Sequence, residues 1–261
     1  MTDRIEAPSA AAMWDTRNTG KTLKRLAGVL ILCAVTVAAQ AASNQKRGAF
    51  LDFNYYPYMS ETKNDNFLTI NAGAKLGHGL SYFSLNNFGQ IKGTAGAPDQ
   101  NTFYTEQNLR WAFSEELPLD LTLQLNFRNG ANNDRHRLGV RWRLNDTKAF
   151  ADFFKSVGLV YAINLHLVQF DHEDPYVWQI EHAFNLKLPA LSDRIYIAGF
   201  VDHTFNQDLP DTFPARPIVG EVQAGVRLFD QLHAVAEYRI NEYRRSDVDN
   251  LALGLQYKIV W

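Results

Sequence analysis

From Leu251 to Trp261 every second residue is apolar: Leu251, Leu253, Leu255, Tyr257, Ile259 and Trp261. Ala252, Gly254, Gln256, Lys258 and Val260 stand between them, small or polar in all but the last case. Side chains alternate across a strand, so this segment predicts a ribbon with one apolar face and one wetter face. The same period recurs upstream. Leu119, Leu121, Leu123, Leu125 and Phe127 interleave with Asp120, Thr122, Gln124, Asn126 and Arg128. Leu138, Val140, Trp142 and Leu144 alternate with Arg137, Gly139, Arg141 and Arg143, and Val222 to Leu228 alternates with Glu221 to Arg227.

Applied along the chain, the pattern predicts twelve strands, near 49–56, 66–76, 79–89, 102–113, 119–128, 134–144, 157–170, 176–188, 194–204, 217–229, 232–242 and 249–261. Most are long enough for the ~9–11 residues a tilted strand needs to cross a bilayer, whereas globular strands commonly have about 5–6. Links alternate in length. Gly77-His78, 114–118, 189–193 and Asp230-Gln231 are short; 57–65, 90–101, 205–216 and 243–248 are mostly longer. This asymmetry suits a transmembrane antiparallel up-and-down β-barrel, all-β, with both termini on the periplasmic side. The exception is 145–156, where Phe150, Phe153 and Phe154 take helical spacing after Asp146, a candidate cap. It predicts one short periplasmic-side helix, either lying in the membrane interface or tucked against the barrel. Trp111, Phe113, Trp142, Tyr257 and Trp261 fall near one end of the strands. Phe127, Phe170, Tyr176, Trp178 and Phe205 fall near the other, as two interfacial bands would.

The N-terminal segment changes the compartment. Lys21, Lys24 and Arg25 precede an apolar run from Leu26 to Ala39, and Ala39-Gln40-Ala41 has the small-x-small form of a cleavage site. Residues 1–41 are therefore expected to be a signal peptide, with Met13 an alternative start, and 42–261 the barrel. The single cysteine, Cys33, lies in that leader and follows Leu32 rather than the small residue a lipidation site prefers. No disulfide framework is expected. The chain carries 26 basic and 28 acidic residues; the leader takes five and three of them, leaving a formal charge of −4. Nothing in that balance points to a nucleic-acid polymer.

With apolar positions outward, the inner face carries Glu106, Arg110, Arg128, Arg137, Arg141, Arg143, Glu181, Asp202, Glu221, Arg227 and Arg239 as candidate pore-lining residues. Basic groups concentrate on the fifth and sixth strands. Two readings stay open. The charges pair to satisfy one another, because an unpaired buried charge is costly, or they guide a polar solute through a constriction. Twelve strands lie between eight, which side chains fill, and sixteen, which leave a wide channel.

Other chemistries find little support. None of the seven histidines is followed two positions later by Ser or Thr, the spacing that would set base and nucleophile on one strand face, so no catalytic residues and no enzyme are expected. Asp171-His172-Glu173-Asp174 could offer hard oxygen ligands to a divalent cation, but a solvated polar loop tip accounts for it better. No zinc spacing or phosphate loop occurs, and neither metal nor cofactor is expected.

A strand ending on an aromatic residue resembles the closing strand of bacterial outer-membrane barrels, which implies that Tyr257, Ile259 and Trp261 serve as a signal to the barrel assembly machinery. More widely, the chain resembles the Tsx/OmpK-like nucleoside channels of Gram-negative outer membranes. The similarity rests on Asn64-Asp65-Asn66-Phe67-Leu68, Tyr82-Phe83-Ser84-Leu85-Asn86-Asn87, Phe103-Tyr104-Thr105-Glu106 and Gly199-Phe200-Val201-Asp202. It implies a channel in the cell outer membrane, bounded by lipid and lipopolysaccharide, for passive diffusion of small polar solutes, nucleosides first. Asn87 departs from that family's pattern, standing where an acid is expected. A channel for anionic sugars or organic acids, and a closed structural or receptor barrel, are the alternatives.

Overall fold

The structure, a computed structural model, describes residues 48–261 apart from 58, 60–64, 92–99, 131–133, 172–174 and 245–246. The expected leader, most of the Asp171–Asp174 cluster and Asn64 lie outside the described residues. Twelve strands follow one another: β1 Ala49–Tyr55, β2 Asp65–Gly77, β3 Leu80–Ile91, β4 Gln100–Trp111, β5 Leu119–Arg128, β6 Arg135–Arg143, β7 Leu159–Gln169, β8 Trp178–Lys187, β9 Ile195–Phe205, β10 Ile218–Phe229, β11 Leu232–Asn241 and β12 Asp249–Val260. Each pairs antiparallel with its sequence neighbour, and β1 pairs with β12, so the sheet closes into an up-and-down barrel. Closure leaves no free edge.

Burial is inverted relative to a water-soluble protein. Among the described residues, seven apolar side chains are buried against twenty-two polar or charged ones. On β12, Leu251, Leu253, Leu255 and Tyr257 are 44–51% exposed, while Ala252 is 0% and Gln256 4% exposed. The apolar set thus forms the outer surface and the polar set the lumen, as the two-residue period requires.

One stretch of the outer face departs from this rule. Phe83, Leu85, Tyr104, Glu106 and Arg110 line the lumen, which puts Tyr82, Ser84, Asn86, Thr105 and Gln107 on the outside. There they satisfy one another. Tyr82 and Thr105 donate to Gln107 and Asn86, Gln107 donates to Thr105, and Asn86 Nδ2 donates to the Ile70 carbonyl at 2.9 Å. A closed set of hydrogen bonds is what makes amides tolerable on an otherwise apolar wall.

The long link is the one between β6 and β7. It holds a helix, α1 (Ala151–Val157), after a 3-10 turn at Leu144–Asp146. Asp146 is not its cap. The N-cap is Phe150, with no side-chain bond, and Asp146 instead accepts from Arg143 Nε at 2.5 Å. The helix stops at Gly158, whose φ of 71° is easy only without a Cβ. That turn begins β7 at Leu159 rather than at the expected residue 157. β4 also shifts: it ends at Trp111, leaving Phe113 in the following link with its ring edge-on to Trp111 at 6.2 Å.

Candidate functional site

The lumen encloses a cavity of about 790 Å³ reached by inner-face residues from all round the barrel. Of the residues singled out in the sequence, Glu106, Arg110, Arg128, Arg137, Arg141, Glu181, Asp202, Glu221 and Arg239 line it. Arg143 and Arg227 do not. Arg143 bonds to Asp120 and Asp146 at the end where the termini lie, and Arg227 pairs with Asp193 at 2.9 Å at the same end.

The basic wall is made by β4, β5 and β6. Arg110 and Arg128 rest on aromatic faces, 5.7 Å from the Phe83 ring centre and 5.2 Å from that of Tyr104. Arg137, 4% exposed, donates from Nη1 to the amide oxygens of Gln124 (3.1 Å) and Gln179 (2.9 Å). Arg141 has only a distant carboxylate, Asp120 Oδ2 at 3.9 Å, whose other oxygen serves Arg143. Among the described residues, Arg110, Arg128 and Arg137 form no ion pair, and the Nε groups of all four arginines are buried without a hydrogen-bond partner. Buried guanidiniums usually carry carboxylate partners, because desolvating the charge is expensive. Here the partners are neutral amides and rings.

Acidic groups line the cavity both beside this wall and away from it. Glu181 on β8 and Asp202 on β9 are direct cross-strand neighbours. Glu181 Oε2 lies 3.2 Å from His166 Nε2 and within electrostatic reach of Arg110 and Arg141. Glu106 accepts from Asn108 Nδ2 at 2.7 Å and from the Tyr104 hydroxyl at 3.1 Å. Asp202 is close enough to interact electrostatically with Glu106, although β4 and β9 are five strands apart in the ring. Glu106 shares β4 and the cavity wall with Arg110, so carboxylates and guanidiniums stand side by side as well as across the lumen.

A third sector, across the closing seam, is tied up internally. Gln256 Nε2 donates to both oxygens of Asp52 (3.0 and 2.9 Å), Asn54 Nδ2 also donates to Asp52 (2.9 Å), and the Tyr196 hydroxyl donates to Gln256 Oε1 (2.5 Å). Gln223 Nε2 donates to that hydroxyl at 2.6 Å. These bonds bridge β9, β10, β12 and β1. Sequence alternation placed their residues inward; nothing in it signalled that they would saturate one another while the arginines would not. At the mouth opposite the termini, Gln207 Nε2 donates to the Tyr243 hydroxyl at 2.9 Å, linking two loops, and burial pushes the Tyr243 phenol up so that it stays neutral.

No protein-family model matches this chain, and no curated protein matches its sequence. Among solved structures it is similar to the KdgM porin, with 11% identity and a TM-score of 0.47 over 80% of this chain and 98% of that one. A KdgM porin in complex with disordered oligogalacturonate gives 11% identity and 0.45 over the same shares. A Rhodopseudomonas blastica porin variant gives 8% and 0.34 over 82% of this chain and 99% of that one.

Proposed function

We propose that the protein is an outer-membrane channel for passive diffusion of small polar solutes, and that its preferred solutes are hydroxylated organic acids such as sugar acids. The apolar exterior and polar interior of a closed barrel suit a wall that borders lipid outside and water inside. One observation carries the choice of solute. Four guanidiniums line the cavity: Arg110, Arg128 and Arg137 form no ion pair among the described residues, and Arg141 has only Asp120 at 3.9 Å. A solute carboxylate supplies the missing acceptor through charge-assisted bonds. Glu106, beside Arg110 on β4, and Glu181 and Asp202 on β8 and β9 can accept hydrogen bonds from its hydroxyls.

Nucleosides are the second reading. Inward rings at Phe50, Phe83 and Tyr104 offer stacking surfaces, but each already carries a cation on its face: Lys258 at 4.9 Å, Arg110 and Arg128. That favours the acid over the nucleobase.

The test is conductance of purified protein in a planar bilayer under a salt gradient. A small channel with anion preference, transiently blocked by millimolar hexuronate and less by nucleoside, is the expected result. Block by nucleoside alone would reverse the choice of solute. Absence of conductance from folded protein would favour a closed structural barrel.

A further inference from the structure

Helix α1 carries its apolar residues as one stripe: Phe150, Phe153, Phe154 and Val157, spaced i, i+3, i+4, i+7. Lys148, Asp152 and Lys155 are exposed on the other side. Seven residues are too few to hold a helix alone, and the barrel wall supplies the rest. Phe154 stacks on Tyr161 with ring centres 6.0 Å apart and planes at 24°, and Phe150 tilts against Trp142 at 6.2 Å. The Trp142 indole N–H donates to Thr147 Oγ1 at 2.8 Å, and Asn145 clamps β7 by bonding the Leu159 carbonyl and the Tyr161 amide.

Those contacts fix which side of the wall the helix occupies. Trp142 alternates with Arg141, a lumen residue, and is the cross-strand partner of Leu119 and Ile163. Tyr161 pairs with Phe184, and its hydroxyl lies 2.7 Å from His182 Nδ1, two positions from the outward Ile180. Both rings point out of the barrel, so α1 lies on the exterior near the end where the termini sit. It does not plug the lumen. The wall covers its apolar stripe only in part, Phe154 being half-buried and Phe150 still 39% exposed. Phe153 is 62% and Val157 41% exposed, with no wall partner among the described residues for their outward sides, and both are continuous with the apolar outer surface.

We propose that α1 is an interfacial anchor that inserts Phe153 and Val157 into the periplasm-facing phospholipid leaflet, with Lys148, Asp152 and Lys155 turned to the headgroups and water. The inference rests on the reading that the outer wall borders lipid. Continuity with that wall selects lipid over a protein partner as the occupant. The aromatic chain from Trp142 through Phe150 and Phe154 to Tyr161 lets one helix extend the barrel's interfacial band outward by a side-chain layer.

Spin labels on single cysteines test it, in a background where Cys33 is replaced by Ser. Labels at Phe153→Cys, Val157→Cys, Asp152→Cys and, as a wall control, Leu123→Cys are read in phosphatidylcholine–phosphatidylglycerol vesicles. The measurement is the ratio of collisions with oxygen to collisions with a water-soluble nickel chelate. The ratio at 153 and 157 should be several-fold above that at 152 and below that at 123. Equal nickel access at 152, 153 and 157, with 123 still oxygen-rich, would put the helix in water and overturn the anchor while leaving the barrel in the membrane. Nickel access at 123 would overturn both. Val157→Cys gives the same answer should Phe153→Cys fold poorly.

Discussion

Trp261 and Ala49 exchange a reciprocal pair of backbone hydrogen bonds, the Trp261 amide to the Ala49 carbonyl at 3.0 Å and the Ala49 amide to the Trp261 carbonyl at 2.8 Å. The residue that follows β12 thus meets the first residue of β1, and it is 45% exposed. Deleting Trp261 removes two bonds worth about 1 kcal/mol each and an interfacial aromatic. The expected outcome is a lower yield of folded, heat-modifiable barrel on semi-native gels, with normal conductance from the fraction that folds. Unchanged yield would count against both the seam bond and the assembly-signal role.

The two faces of the wall should answer oppositely to the same charge. Leu123, outward near the middle of β5, should cost about 2–4 kcal/mol when replaced by Arg, if it sits near the bilayer midplane. Asn71→Arg, on the lumen face as the cross-strand neighbour of Asp52, should cost far less. Denaturant titration in lipid vesicles checks both.

The seam-side network depends on a missing side chain. A Cβ at Gly225 would lie 2.1 Å from Cε1 of Tyr196. Gly225→Val should therefore displace the ring, break its bonds to Gln256 and Gln223, and destabilise the barrel by roughly 1–3 kcal/mol. Tyr196→Ser in the same chain should recover part of the loss in a thermal melt, because it removes the clash.

On the outer wall, Asn86→Leu should be worse than its polarity suggests. It leaves the Thr105 hydroxyl, which donates to Asn86 Oδ1, without its acceptor on an apolar surface, at about 1–3 kcal/mol. Replacing Asn86, Thr105 and Gln107 together by apolar residues should cost less than the sum of the single changes. Additive losses would show that the groups do not act as a network.

Charge in the passage and charge at its rim should separate in selectivity. Arg110→Gln with Arg141→Gln should lower the anion preference, most at low salt where screening is weak. Arg227→Gln, at a rim position already paired with Asp193, should leave the reversal potential nearly unchanged. Equal effects at both places would mean that the overall field, and not the four cavity guanidiniums, sets selectivity.

Amino-acid order alone determined the strands and their faces. Whether Leu123 or Gln124 points outward follows from a period of two that each strand carries locally, and twelve such segments joined by alternating short and long links leave an up-and-down barrel as the consistent closure. The helical spacing of Phe150, Phe153 and Phe154 was legible for the same reason. What the tertiary structure decided is which inward groups meet. Arg143 and Arg141 share a face and a strand, yet one is paired twice at the rim and the other looks into the cavity with an unmatched Nε. Asp52 and Gln256, 204 positions apart, are joined by hydrogen bonds at 2.9 and 3.0 Å across the closing seam. Ser84 and Asn86 sit outside because β3 is set by its partners, although their polarity argues for the inside. Such contacts depend on register, strand tilt and barrel radius, which arise only when the ring closes, so no local pattern can encode them.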